Sequence, residues 1–226
     1  MRNKTATIVV AFAMAFGALC TSAMAMNFGV GVSSAYTNLD TSGSETLKQS
    51  SAVASGSHDN NVVIPALFLE IGTDMGFVLG YKIIPGEADL GSKTTTRGDK
   101  LKGTADAAVT VDQVVQAQVQ NVKTIYVETP GFTSLGLFAT VGYTEFDVLT
   151  NETLGTGAAY GDTSMDGYMY GLGMKHTFDT GFFLKAMATY TDFDSVSLSS
   201  TGSDAVSTID AEVESNGAEV AMGFKF

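Results

Sequence analysis

The chain has 226 residues, a formal net charge of −12, one cysteine and no tryptophan. So acidic a protein is unsuited to nucleic acid, whose phosphates demand cations, and one cysteine excludes a disulfide framework.

Arg2 and Lys4 precede a short apolar stretch, Ile8 to Leu19, and Ala23-Met24-Ala25 is a small-x-small cleavage site. That is the pattern of a secretory signal peptide over residues 1–25, leaving 26–226 as one mature domain. The stretch is shorter than the ~20 residues a spanning helix needs. Cys20 lies within the leader, and Leu19 occupies the place where a lipoprotein signal has a small residue.

Apolar residues then recur at every second position, the period of a strand. The runs are Phe28–Tyr36, Val63–Ile71, Phe77–Ile83, a less regular one near Val119 to Thr129, Leu135–Tyr143, Tyr168–Met174, Phe182–Tyr190 and Ala218–Phe226. Eight strands result. Gly72-Thr73-Asp74-Met75-Gly76, Thr129-Pro130-Gly131 and Asp179-Thr180-Gly181 are tight turns; the segments 37–61, 86–118, 147–166 and 192–214 are long polar loops. Short turns at one rim and long loops at the other are the layout of a transmembrane barrel.

One face of each strand is bulky and apolar; the other is mostly Gly, Ser, Thr and Ala. Small residues suit a narrow interior, so the bulky face points outward, which only lipid tolerates. Closure would pair every backbone group, as hydrocarbon demands. The alternation alone sends Glu70, Lys82, Lys175, Lys185, Glu219 and Lys225 inward. The irregular fourth strand allows two registers: Val119, Ile125 and Val127 outward would put Lys123 in lipid, whereas Val122, Thr124 and Tyr126 outward puts it inside, and the charge rule selects the second. The expected fold is therefore all-β: an eight-stranded, antiparallel, up-and-down transmembrane β-barrel with periplasmic termini, in a bacterial outer membrane. The four loops hold eighteen acidic and five basic residues, so the acidity lies outside the barrel. Tyr36, Tyr143 and Tyr190 would form the outer aromatic belt, and Phe77, Phe132 and Phe182 the inner one.

The last strand, Ala218-Glu219-Val220-Ala221-Met222-Gly223-Phe224-Lys225-Phe226, resembles the C-terminal signal read by the barrel assembly machinery, carried by Val220, Met222, Phe224 and Phe226. Gly136-Leu137-Phe138-Ala139-Thr140-Val141-Gly142-Tyr143 and Asp166-Gly167-Tyr168-Met169-Tyr170-Gly171-Leu172-Gly173-Met174-Lys175 resemble the OmpA/OmpX/Opa-like group of eight-stranded outer-membrane barrels. The resemblance covers the barrel alone, since no peptidoglycan-binding domain follows, and the 86–118 loop is long for that group. It implies lumenal Lys–Glu pairs that plug the interior.

Signals for chemistry are weak. His58 stands between Ser57 and Asp59, a catalytic set in name, but neighbours in a loop rarely achieve that geometry. His176 faces outward by register. Asp192, Asp194, Asp204, Asp210, Glu212 and Glu214 lack the spacing of a calcium loop. Gly29-Val30-Gly31 and Gly171-Leu172-Gly173 lack the third glycine of a dinucleotide site. Residues 105–120 suit either an extension of the fourth strand or a short helix. The expectation is a protein without enzyme activity, cofactor or metal, with a structural or surface-interaction role. Its partners would be membrane lipid, lipopolysaccharide, the assembly machinery and an extracellular ligand met by the four loops. A narrow pore is the second reading.

Overall fold

A computed structural model describes residues 26–46, 53–100, 108–154, 159–201 and 207–226; the expected leader, 1–25, lies outside the described residues. Among the described residues ten strands occur: β1 (Met26–Thr46), β2 (Val53–Thr73), β3 (Val78–Ile83), β4 (Glu87–Lys100), β5 (Ala108–Glu128), β6 (Leu137–Leu154), β7 (Thr163–Thr177), β8 (Phe182–Phe193), β9 (Val196–Ser199) and β10 (Thr208–Lys225). Eight close a ring in the order β1-β2-β3-β5-β6-β7-β8-β10, and β10 pairs back onto β1. β4 and β9 continue the paths of β3 and β8 after short breaks, pairing with β5 and β10. All pairings are antiparallel, so the fold is an eight-stranded up-and-down barrel.

The stagger of this ring can be counted. A row of facing residues leaves β2 at Leu69 and passes Tyr81, Ile125, Tyr143, Tyr168, Asp192, Glu214 and Asp40. It returns to β2 at Asp59, ten residues from where it began. Such a shift over eight strands requires a tilt of roughly 40°.

The outer surface is apolar across the middle of the barrel. Phe28, Val30, Val32, Leu67, Leu69, Leu172, Met174, Val220, Met222 and Phe224 are all exposed. In water this would be a large sticky surface; around a closed barrel it is the surface that faces hydrocarbon. Tyr36 and Tyr190 stand exposed at its upper limit, where Asp192 and Asn38 follow as the next outward residues. Phe182 stacks on Phe178 and tilts against Phe224 at its lower limit, with centroids 5.6 and 5.4 Å apart. Phe77 is half-buried and Phe132 exposed at the same short-turn rim. The start of β1 and the end of β10 lie there too, joined by bonds between Phe28 and Phe226.

Two short turns share one construction. The N–H of Gly76 donates to Thr73 and that of Gly181 to Phe178, and both glycines have positive φ, 90° and 82°. A side chain is disfavoured there, while a three-residue hairpin needs that conformation.

The structure corrects two expectations and decides between two alternatives for a third segment. The described parts of the four expected loops are largely strand: β1, β2, β4, β5, β6 and β10 run on past the apolar band as paired ribbons; residues 47–52, 101–107, 155–158 and 202–206 lie outside the described residues. Residues 108–120 are the upper part of β5, not a helix. Lys123 is exposed on the outer face, opposite Glu145, while Thr124, Tyr126 and Glu128 are buried inside. The cause is a bulge between Gln120 and Lys123, with Asn121 at φ 55°. One extra residue exchanges the faces of everything beyond it. Asn121 tolerates that conformation and anchors it by donating to Asp147 Oδ2 at 2.7 Å. Lys123 sits at the height of the outer belt, where a charge is inexpensive.

Tyr143 also differs from an exposed belt residue. It lies on the outer face but is buried, edge-on to Tyr168 at 5.7 Å, and its hydroxyl donates to Asp166 Oδ2 at 2.7 Å.

Candidate functional site

The interior holds a compact group of ionised side chains drawn from six strands. Lys175 on β7 and Lys185 on β8 are direct cross-strand neighbours. Two like charges so placed repel, and the wall opposite supplies the answer. Glu70 on β2 and Glu128 on β5 both accept from Lys185, and Lys175 reaches the same two carboxylates at 3.3 and 3.9 Å. Tyr126 donates its hydroxyl to Glu70 Oε1 at 2.8 Å. A second unit joins Lys82 on β3 to Glu219 on β10, Nζ to Oε2 at 2.7 Å. Three lysines thus meet three glutamates, and the glutamates and Lys185 are buried. Lys225 lines the lower end of the interior but is exposed. Removing an ion from water costs several kcal/mol, which is recovered only where partners and geometry are good, as they are in this cluster.

Aromatic rings surround the cluster. Lys175 Nζ lies 4.5 Å from the Phe183 ring centre, and Lys185 Nζ lies 5.3, 5.6, 5.7 and 5.9 Å from Phe68, Phe183, Tyr126 and Phe138. Such contacts gain strength away from water. Each of the four rings faces a glycine directly across its strand pair: Phe68 with Gly31, Tyr126 with Gly80, Phe138 with Gly173 and Phe183 with Gly223. A Cβ on Gly31 or Gly80 would stand 2.3 or 2.1 Å from the partner ring. The interior glycines are therefore seats for rings, which fill the lumen that small residues alone would leave hollow.

Below the cluster, at the short-turn end, is a cavity of about 200 Å³ lined by Asn27, Glu70, Glu128, Thr129, Lys175 and Lys225, among others. Within the cluster, between Phe68, Lys82, Tyr126, Lys185 and Glu219, only about 10 Å³ remains, at most the space of a single water. Above it the lining mixes apolar and hydroxyl side chains: Phe146, Met165 and Met169 are buried together with Thr37, Thr144 and Thr191, and Phe146 meets Phe193 edge-on at 5.0 Å. Higher still, Tyr160 is buried and donates to Glu45 Oε1 at 2.9 Å, while Ala159 pairs with Thr201.

Val220, Met222, Phe224 and Phe226 are all exposed on the outer face of β10. Glu128 and the four rings were not among the residues singled out by sequence. The shift of register at Asn121 hid Glu128 and also Tyr126, which the sequence placed outward; Phe68, Phe138 and Phe183 were legible as large residues on the small-residue face. His58 and Asp59 are successive residues of β2 and so point to opposite faces; they do not form a dyad. His176 packs edge-on against Phe178 at 4.6 Å. Among the described residues no group of acids, histidines or cysteines could hold a metal ion.

No family model matches the chain, and no curated protein matches it in sequence. Solved structures of similar form exist. OprG from Pseudomonas aeruginosa is 14% identical, with a TM-score of 0.48 over 90% of this chain and 97% of its own. Ail, the attachment invasion locus protein of Yersinia pestis, is 10% identical, with a TM-score of 0.43 over 90% of this chain and 100% of its own. Neisserial surface protein A is 12% identical, with a TM-score of 0.39 over 88% and 97%.

Proposed function

We propose that the protein is a non-enzymatic surface protein of the bacterial outer membrane. Its barrel serves as an anchor and its acidic ribbons meet the medium. The observation that carries this reading is the filled interior: between the side chains of the Lys–Glu cluster and its rings only about 10 Å³ remains in the middle of the barrel. A barrel so closed serves better as a support than as a channel. On this reading residues 1–25 are a cleaved leader, the short turns and both ends face the periplasm, and the β10 residues Val220, Met222, Phe224 and Phe226 are what the assembly machinery reads. The partners would be lipid, lipopolysaccharide and an extracellular ligand held by segments 37–61, 86–118, 147–166 and 192–214.

The second reading, a narrow pore, draws on the cavity of about 200 Å³ below the cluster. Planar bilayers separate the two. The anchor reading expects baseline conductance from the refolded protein and steps only after Glu219→Ala, which strips Lys82 of its partner. Frequent steps from the unaltered protein would favour the pore.

A further inference from the structure

The cavity at the short-turn end takes no part in plugging the barrel. Gly76 and Gly136, each from a turn, lie on its rim and bring no side chain to narrow the mouth. Its inner end is the underside of the ion cluster, where Lys175 is the most accessible lysine.

The charge within it is unbalanced. Lys175 and Lys185 answer Glu70 and Glu128, and Lys82 answers Glu219, so the cluster sums to zero. Lys225 lines the cavity as well, and no carboxylate among the described residues pairs with it. The cavity thus holds one positive charge in excess. Both carboxylates at its inner end are already engaged by Lys185, which leaves little attraction for a cation. A lysine in a cleft with low-dielectric walls draws an anion more strongly than one on an open surface.

Neutral donors stand beside it. Lys225 is opposite Gly29, and Asn27 is the next residue on the same face of β1, a diagonal spacing that long side chains bridge. The Thr129 hydroxyl accepts the Ala139 N–H, which leaves its own proton to donate. Further in, Val78, Phe138 and Phe183 give the cavity an apolar wall. Phe183 faces Gly223, the inward residue of β10 that precedes Lys225. A cationic mouth with an apolar wall behind it suits an anion that carries a short hydrocarbon tail. One excess lysine balances one negative charge and not two.

We propose that this cavity is a binding site for a small monocarboxylate, with the carboxylate on Lys225 and Asn27 and the tail against Phe183. This goes beyond the anchoring role, and it holds whichever side of the membrane the short turns face.

Butyrate is the probe. Isotope-labelled protein, refolded in phosphatidylcholine nanodiscs, is titrated with sodium butyrate at constant ionic strength while its amide shifts are followed. The site predicts saturable shifts at Asn27, Thr129 and Lys225, with Leu172 on the lipid face unmoved. Lys225→Gln should weaken binding roughly tenfold or more, because a charge-assisted hydrogen bond is lost, and Lys225→Arg should retain it. Butylammonium and inorganic phosphate are titrated in parallel and should bind more weakly than butyrate. Shifts that never saturate and fall mainly at Leu172 mean partitioning into lipid and overturn the site while leaving the membrane barrel intact. Equal binding by Lys225→Gln, or tighter binding of butylammonium or phosphate, overturns it too. If Lys225→Gln fails to refold, Asn27→Ala takes its place, with a severalfold loss of butyrate affinity expected and none counting against the site.

Discussion

Lys185 is the residue on which the interior depends most. It stands between Glu70 and Glu128 and within reach of four rings. Glu128→Gln should lower stability by about 3–5 kcal/mol, because it leaves two lysines of the interior sharing the single carboxylate of Glu70. Urea unfolding in vesicles measures this, and adding Lys185→Met to Glu128→Gln, which leaves Lys175 paired with Glu70, should recover part of the loss. Gly31→Ala should cost roughly 1–3 kcal/mol by overpacking, since its new methyl would meet the Met222 carbonyl oxygen and the Phe68 ring, each at 2.3 Å. Outside the membrane, Asp40 lies between Asp59 and Glu214. A hydrogen bond with Asp59 holds its carboxyl above the ordinary range, helped by partial desolvation and by the charges of Asp59 and Glu214. A carboxyl raised in the folded state favours that state on the acid side, and the benefit fades as pH rises through its midpoint. Asp59→Asn should move the Asp40 midpoint down, as read from its carboxyl carbon shift. No movement would mean that the two acids do not communicate.

Among the elements, β5 shows where a sequence is legible and where it is not. Seven of the eight ring strands announce their faces by alternation, so Glu70, Lys82, Lys175, Lys185 and Glu219 can be assigned inward from position alone. In β5 the alternation shifts at Asn121, and the rule that charges avoid lipid then selected the wrong face for Lys123. That rule applies at mid-depth and loses force at the interface, where Lys123 lies. The extended ribbons were equally hidden, because Ser, Thr, Asn and Gly in water read as loop whether or not they pair. Deleting Asn121 should remove the bulge and drive Lys123 inward and Tyr126 outward, or else break the β5–β6 ladder. Amide exchange along β5 and β6 would detect either result. Unchanged protection would show that the bulge does not set the register.

For the molecule as a whole, eight strands with a stagger of ten residues leave an interior that must be filled, and the glycine-seated rings fill it. The folded barrel should therefore resist dodecyl sulfate until heated and change its gel mobility when it finally unfolds; identical mobility before and after heating would argue against a closed barrel. The apolar band needs no helix, consistent with strands of eight to ten outward-and-inward alternating residues tilted across roughly 25 Å of hydrocarbon.

The equal numbers of lysines and glutamates in the central cluster have an electrical consequence. An applied potential does work on displaced charge, about 2.3 kcal/mol per elementary charge per 100 mV. A cluster that sums to zero and moves as one body offers the field no handle. Voltage steps alone should leave it shut in either polarity, whereas replacing one glutamate by glutamine would give the same plug a net charge and make its opening depend on the sign of the voltage.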